Sequence, residues 1–111
     1  MIRFEGAAKT YPGQSRPALD DVDLTVEAGT TCVLIGPSGC GKSTALQMVN
    51  RLVTPSAGRV LVEGRDVAGH DPISLRRRIG YVLQGVGLFP HRTVAQNVAT
   101  VPGLLGWDRR R

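Results

Sequence analysis

Lys42, Ser43 and Thr44 follow directly on a run with glycine at 36, 39 and 41 and with Pro37, Ser38 and Cys40 between them. A lysine is a mobile cation, the two hydroxyls are hard oxygen donors, and the glycines Gly36, Gly39 and Gly41 admit backbone angles closed to other residues. From Gly36 to Ser43 the spacing is G-x-x-x-x-G-K-[ST]. In such a loop successive backbone N–H groups turn inward as an anion nest, and a helix opening near Ser43 adds its positive dipole end. Lys42 is then placed to reach β- and γ-phosphates, Ser43 to ligate the magnesium that bridges them, and Thr44 to contact an α-phosphate. The chemistry implied is the holding of a nucleoside triphosphate with magnesium. A glycine-rich turn carrying a surface lysine is the plainer alternative, and the flanking segments decide between the two.

A loop of this kind requires a buried strand before it and a helix after it. Residues 30 to 35 read TTCVLI, continuously apolar from Cys32, and predict a strand buried on both faces as in a parallel sheet. The following pattern predicts a helix from about Ser43 to Leu52, with Leu46, Val49 and Val53 on its apolar face and Gln47, Asn50 and Arg51 toward solvent. Upstream, Ile2 and Phe4 at period two indicate a short edge strand, and YPGQSRP over 11 to 17 breaks it. From Leu19, the residues Val22, Leu24 and Val26 alternate with Asp21, Asp23, Thr25 and Glu27, the pattern of a half-buried strand that Ala28 and Gly29 end.

Downstream, TPSAG over 54 to 58 is a turn, Arg59 to Glu63 a strand, and Gly64 another turn. Asp71 followed by Pro72 predicts an N-cap with proline at the first helical position, opening a short helix that ends near Arg78. IGYVLQ over 79 to 84 predicts a further strand with Gln84 at its C-terminal end, followed by the irregular GVGLFPH. Thr93 and Gln96 match a capping box, so a helix should run from Thr93 to about Thr100 before Pro102 and Gly103 interrupt it.

The whole chain sets the bounds. Its 111 residues, 41% hydrophobic and 21% charged, suit one small globular domain rather than a disordered segment. No run approaches the roughly 18 apolar residues of a transmembrane helix, and MIRFEGAAKT lacks the apolar stretch of a secretory signal, so a cytosolic location is expected. Cys32 and Cys40 have no second pair to build a zinc site and read as free thiols. The formal net charge of +5 includes Arg76, Arg77, Arg78 and Arg109, Arg110, Arg111. A solvated helix face accounts for such triplets more simply than a nucleic-acid partner.

About 35 residues of alternating, antiparallel-type strand precede the glycine loop, whereas small P-loop kinases reach it directly after their first strand. With Tyr11 near its start, this layer resembles that of the nucleotide-binding subunit of ABC transporters, in which the P-loop reads GPSGCGKST as here. The resemblance covers the entire chain. It implies an α/β fold: part of a P-loop NTPase core carrying an N-terminal antiparallel β-layer, with residues 1 to 111 as the N-terminal part of one nucleotide-binding domain. It further implies that Tyr11 stacks on adenine, though an aromatic beside Pro12 also packs locally, and that Gly36 to Thr44 holds ATP. Gln84 would orient the attacking water or ligate Mg2+ together with Ser43; capping a strand end is its simpler role. Leu88, Phe89, Pro90 and His91 resemble the loop that transmits nucleotide state to the membrane subunit, with Phe89 either an exposed docking group or a local anchor. No chemistry is assigned to His70 or His91.

More narrowly, MVNRLVTPSAGRVLVEGRDV, DPISLRRRIGYVLQ, GLFPHRTVAQNVA and VPGLLGW resemble the ATPase subunit of importers for quaternary-amine osmoprotectants; polar amino-acid importers are near relatives. Gly85 departs from that subfamily, which commonly has a second glutamine there. The resemblance implies a second ATP-binding subunit and transmembrane permease subunits as partners, a substrate-binding protein only indirectly, no nucleic acid, and a peripheral place on the cytoplasmic face of the membrane. It also implies a helical subdomain, an LSGGQ signature, an acidic strand with a catalytic glutamate and a switch histidine beyond Arg111. Residues 85 to 111 contain one acid, Asp108. A fragment of an energising ATPase and a non-catalytic nucleotide-binding module, or a decayed gene remnant, therefore stand as alternatives, and no catalytic residue is assigned.

Overall fold

The computed structural model describes residues 1–85 and 87–108, so the triplet Arg109 to Arg111 lies outside the described residues. The chain divides into two compact units, Met1–Gly80 and Tyr81–Arg111.

The first unit is built on a four-stranded antiparallel sheet in the order β2-β1-β3-β4, with β1 Ile2–Lys9, β2 Leu19–Val26, β3 Ala57–Val62 and β4 Arg65–Asp66. The first strand is thus interior and not the edge strand its short period-two run predicts. Phe4 sits opposite Leu24 on one side and Val60 on the other. Phe4 and Ala7 are both buried although three residues apart, which strict alternation forbids. A register shift between them resolves the conflict: Gly6 takes a left-handed φ of 56° and its N–H donates to the Asp23 carboxylate at 2.8 Å.

A close approach fixes β3 against this bulge. Gly58 has φ 70°, and a Cβ there would stand 2.1 Å from the Gly6 carbonyl oxygen. β3 consequently starts at Ala57, inside the stretch the sequence marks as a turn.

Helix α1, Lys42–Val49, lies on the sheet through Ala45 and Met48. Met48 is completely buried, as is Val60 of β3. Full burial of such a side chain stabilises by about 1.5–3 kcal/mol. The helical face differs from the expected one: Leu46 is 53% exposed while Asn50 is only 4% exposed. The reason is the helix end. Asn50 is the C-cap, its Oδ1 accepts from Leu52 N–H at 3.2 Å, and Arg51 follows in the left-handed region at φ 60°. Burial thus follows the cap geometry, which ends α1 short of Leu52.

Two small elements that no sequence pattern announces come next: β4 and a 3-10 turn over Val67–Gly69 capped by Asp66. Helix α2, Pro72–Arg77, has Asp71 as N-cap and proline in its first turn, as the sequence predicts. Arg76 from α2 donates to the Asn50 carbonyl at 3.0 Å and to the Arg51 carbonyl at 2.9 Å. A guanidinium at the negative end of α1 satisfies carbonyls that have no intrahelical donor. One arginine of the triplet thus docks α2 onto the end of α1.

Residues 30 to 35 form no strand. Val33 is 72% and Ile35 92% exposed, and the segment stands off the sheet and α1 around an apolar cavity of about 320 Å³ lined in part by Phe4, Leu24, Leu34 and Ala45. A parallel strand needs hydrogen-bonded neighbours, and the pairing among the described residues is wholly antiparallel. IGYVLQ departs from expectation for the same reason: residues 79 to 84 form no strand, with Val82 95% exposed.

In the second unit, helix α3, Val94–Val98, opens on a complete Thr93–Gln96 capping box. The predicted interruption is instead a second short helix, α4, Thr100–Leu104, containing both Pro102 and Gly103. Pro102 lacks an N–H, so the break falls one turn earlier at Ala99, and proline then sits where a helix needs no donor.

The Gly6–Gly58 approach makes a definite demand on sequence. Gly58→Ala should destabilise the chain by more than about 2 kcal/mol, through backbone strain and the clash together. Gly64→Ala, at φ 78° but with nothing within 4 Å, should cost only about 1 kcal/mol. Denaturant midpoints of the two variants test this, and equal midpoints would refute the close-approach account. Asp71 offers a second test. The Ser74 backbone N–H, then its hydroxyl, hold the Asp71 carboxyl below the ordinary aspartate value. A lowered folded pKa means that the cap's contribution is present above the ordinary aspartate pKa and is lost as pH falls through the lowered value. An NMR titration of the Asp71 carboxyl should show a midpoint below that of Asp71 in an unfolded peptide.

Candidate functional site

The loop from Gly36 to Gly41 leads into the start of α1, and its glycines have separate tasks. Gly39 at φ 80° and Gly41 at φ 101° occupy the left-handed region. Gly36 does not. A Cβ there would meet the Cys40 sulfur at 2.7 Å, a demand on space that turning the exposed Cys40 side chain can relieve. Gly41 carries both demands, because a Cβ on it would lie 2.3 Å from the Ala18 carbonyl oxygen. The loop is thereby seated against the residue that leads into β2. Pro37 and Cys40 close its tip through a 3.2 Å backbone hydrogen bond, with Ser38 exposed between them.

Gly41 is the N-cap of α1, no side chain caps the helix, and its first turn contains no acid. The opening N–H groups of a helix have no intrahelical acceptor, so they and the positive dipole end face whatever approaches the loop. Lys42 adds a full positive charge. Its ammonium folds back and donates to the carbonyls of Gly36 and, at 3.1 Å, Pro37. The cation is therefore held on the loop itself. Ser43 is exposed at the same end.

Thr44 is 8% exposed, and its hydroxyl lies 3.1 Å from the Tyr11 hydroxyl. The Lys9 ammonium stands 5.4 Å from the centre of the Tyr11 ring, a cation–π contact. Tyr11, notable in the sequence only for its ring, is thus joined through its hydroxyl to the first turn of α1. No sequence signal marks a contact between residues 33 apart.

Gln84 belongs to the second unit and is exposed there, with Gly85 following at φ 90°. In that unit Phe89 is neither buried anchor nor bare surface. It is 47% exposed, with Arg92 over its ring and His91 edge-on to it. Asn97, which no sequence motif marks, organises this loop. Its side chain accepts from Phe89 N–H at 2.8 Å and donates toward the carbonyls of Phe89, Arg92 and Thr93.

A glycine loop that delivers a lysine and two hydroxyls to an uncapped helix, beside an antiparallel β-layer, has the parts of a P-loop of the nucleotide-binding class, except that the buried strand expected before it is not formed. The class narrows further. Residues 19–111 match the ABC transporter family, and the chain belongs to it. It is 48% identical to the osmoprotectant import ATP-binding protein OsmV of Salmonella typhimurium over 114 aligned residues, covering all of this chain and 30% of that protein. It is 46% identical to the choline transport ATP-binding protein OpuBA of Bacillus subtilis, covering all of this chain and 29% of that one. A dimeric ATP-binding cassette solved in a post-hydrolysis state with ADP and Pi superposes with a TM-score of 0.79 at 30% identity, over 98% of this chain and 49% of its own. The chain thus spans about 30% of the length of these curated relatives.

Proposed function

We propose that this chain is the P-loop-bearing part of the ATP-binding subunit of an importer for quaternary-amine osmoprotectants. The observation that carries the reading is the uncapped start of α1, with Lys42 and two hydroxyls in its first turn. The substrate class rests on the identity to osmoprotectant and choline transport subunits over the whole chain. In this reading Gly36 to Thr44 hold the phosphates of ATP, Tyr11 offers its ring to the base, and the partners are a second ATP-binding subunit and the permease. The working place is the cytoplasmic face of the membrane.

The donor set fits magnesium. An exposed hydroxyl at a helix start is a hard, neutral oxygen of the kind this ion accepts alongside phosphate oxygens. Ser43 would hold the ion, and the ion would supply charge neutralisation between phosphates. Gln84 draws its role from the family resemblance. The chain's own residues bind without reacting. Backbone N–H groups and the Lys42 side chain donate hydrogen bonds, Ser43 offers an oxygen and Thr44 a hydroxyl, and none is placed in this reading as a base for water.

Two outcomes follow. Lys42→Ala should weaken magnesium-ATP binding at least tenfold, because it removes a charge-assisted contact worth about 1.5–3 kcal/mol, and Ser43→Ala should weaken it only when magnesium is present. Calorimetric titration with and without magnesium measures both; unchanged affinity in Lys42→Ala refutes the assignment. The 111-residue chain by itself should release no phosphate above the Lys42→Ala background at saturating ATP. Lys42-dependent release would show that a base within this chain activates water.

A further inference from the structure

The hydroxyl pair of Tyr11 and Thr44 joins two parts of the site that the sequence treats as independent. We propose that the Tyr11 phenol is a positioning group for phosphate binding: it holds and orients the Thr44 hydroxyl, so the aromatic assigned to the base also acts on the phosphate end. This role rests on the nucleotide-binding function proposed for the loop and extends it.

The two oxygens are 3.1 Å apart, and Thr44 is buried in the first turn of α1, two residues after Lys42. A hydroxyl has one proton to give and room to accept two. A phenol O–H is a stronger hydrogen-bond donor than an aliphatic hydroxyl, so the favoured arrangement has Tyr11 donating to Thr44 Oγ1. The Thr44 proton is then left for an incoming phosphate oxygen, and accepting one hydrogen bond strengthens the one it gives.

Without that partner the Thr44 hydroxyl is a free rotor, and nothing fixes the direction of its proton. The tyrosine is itself well held. Its carbonyl accepts from Gln14 N–H at 3.1 Å, Lys9 lies over its ring, and the Ala18 N–H to Lys9 carbonyl bond of 2.7 Å closes the loop that carries it. Gly41 meets the carbonyl of that same Ala18. The tyrosine loop and the helix start are therefore fixed to each other at two points.

Inorganic triphosphate, which has no base to stack, isolates the effect. With magnesium present, Tyr11→Phe keeps the ring and should weaken triphosphate binding by about fivefold, the factor of one neutral hydrogen bond, and should weaken ATP binding by the same factor. In a Thr44→Val background Tyr11→Phe should cause no further loss, whereas in Thr44→Ser, which retains the hydroxyl, the loss should reappear. Circular dichroism confirms that each variant is folded. Triphosphate affinity unchanged in Tyr11→Phe, or an equal loss with and without the Thr44 hydroxyl, overturns the proposal while Lys42-dependent binding still stands. Absence of any Lys42-dependent triphosphate binding overturns both this proposal and the function it extends.

Discussion

The start of α1 lies so close to the Ala18 carbonyl that no side chain fits at Gly41, and the site depends on that approach. A helix end held against the sheet by backbone contact is fixed more firmly than one held by side chains alone, because backbone atoms have no rotamers through which to relax. From this point the glycine loop is suspended in one direction and Met48 enters the core in the other. The site and the core are therefore two ends of one short helix.

The far end of α1 is secured by different chemistry. Asn50 folds its amide back onto Leu52, and Arg76 reaches across from α2 to two carbonyls. The result is an electrostatic asymmetry. The negative end of the helix is satisfied by protein, while the positive end is left without cap or acid. A helix so arranged carries its unbalanced charge only at the loop, where an anion would meet it.

The antiparallel layer and the glycine loop also communicate through Tyr11. Its loop leaves β1 after Lys9 and returns to β2 at Leu19, and the Thr44 hydroxyl meets it on the way. The bulge at Gly6 is part of the same construction, since it returns Ala7 to the core face and aligns the end of β1 from which that loop departs.

Local chemistry is legible in the sequence wherever a few adjacent residues decide the outcome. The helix start after the glycine loop, the Asp71 and Thr93 caps and the Leu19 to Val26 alternation depend on neighbours within one turn or one strand, and each has its structural counterpart at those residues. Apolar runs are another matter. CVLI and IGYVLQ carry the pattern of buried strands, but a strand is made by its hydrogen-bonded neighbours, and a run of side chains does not state which neighbours it has. The interior place of β1, the burial of Asn50 in place of Leu46, and the pairing of Tyr11 with Thr44 were likewise decided by tertiary structure. Each joins residues distant in sequence, so only the folded chain sets the distances on which burial and hydrogen bonding depend.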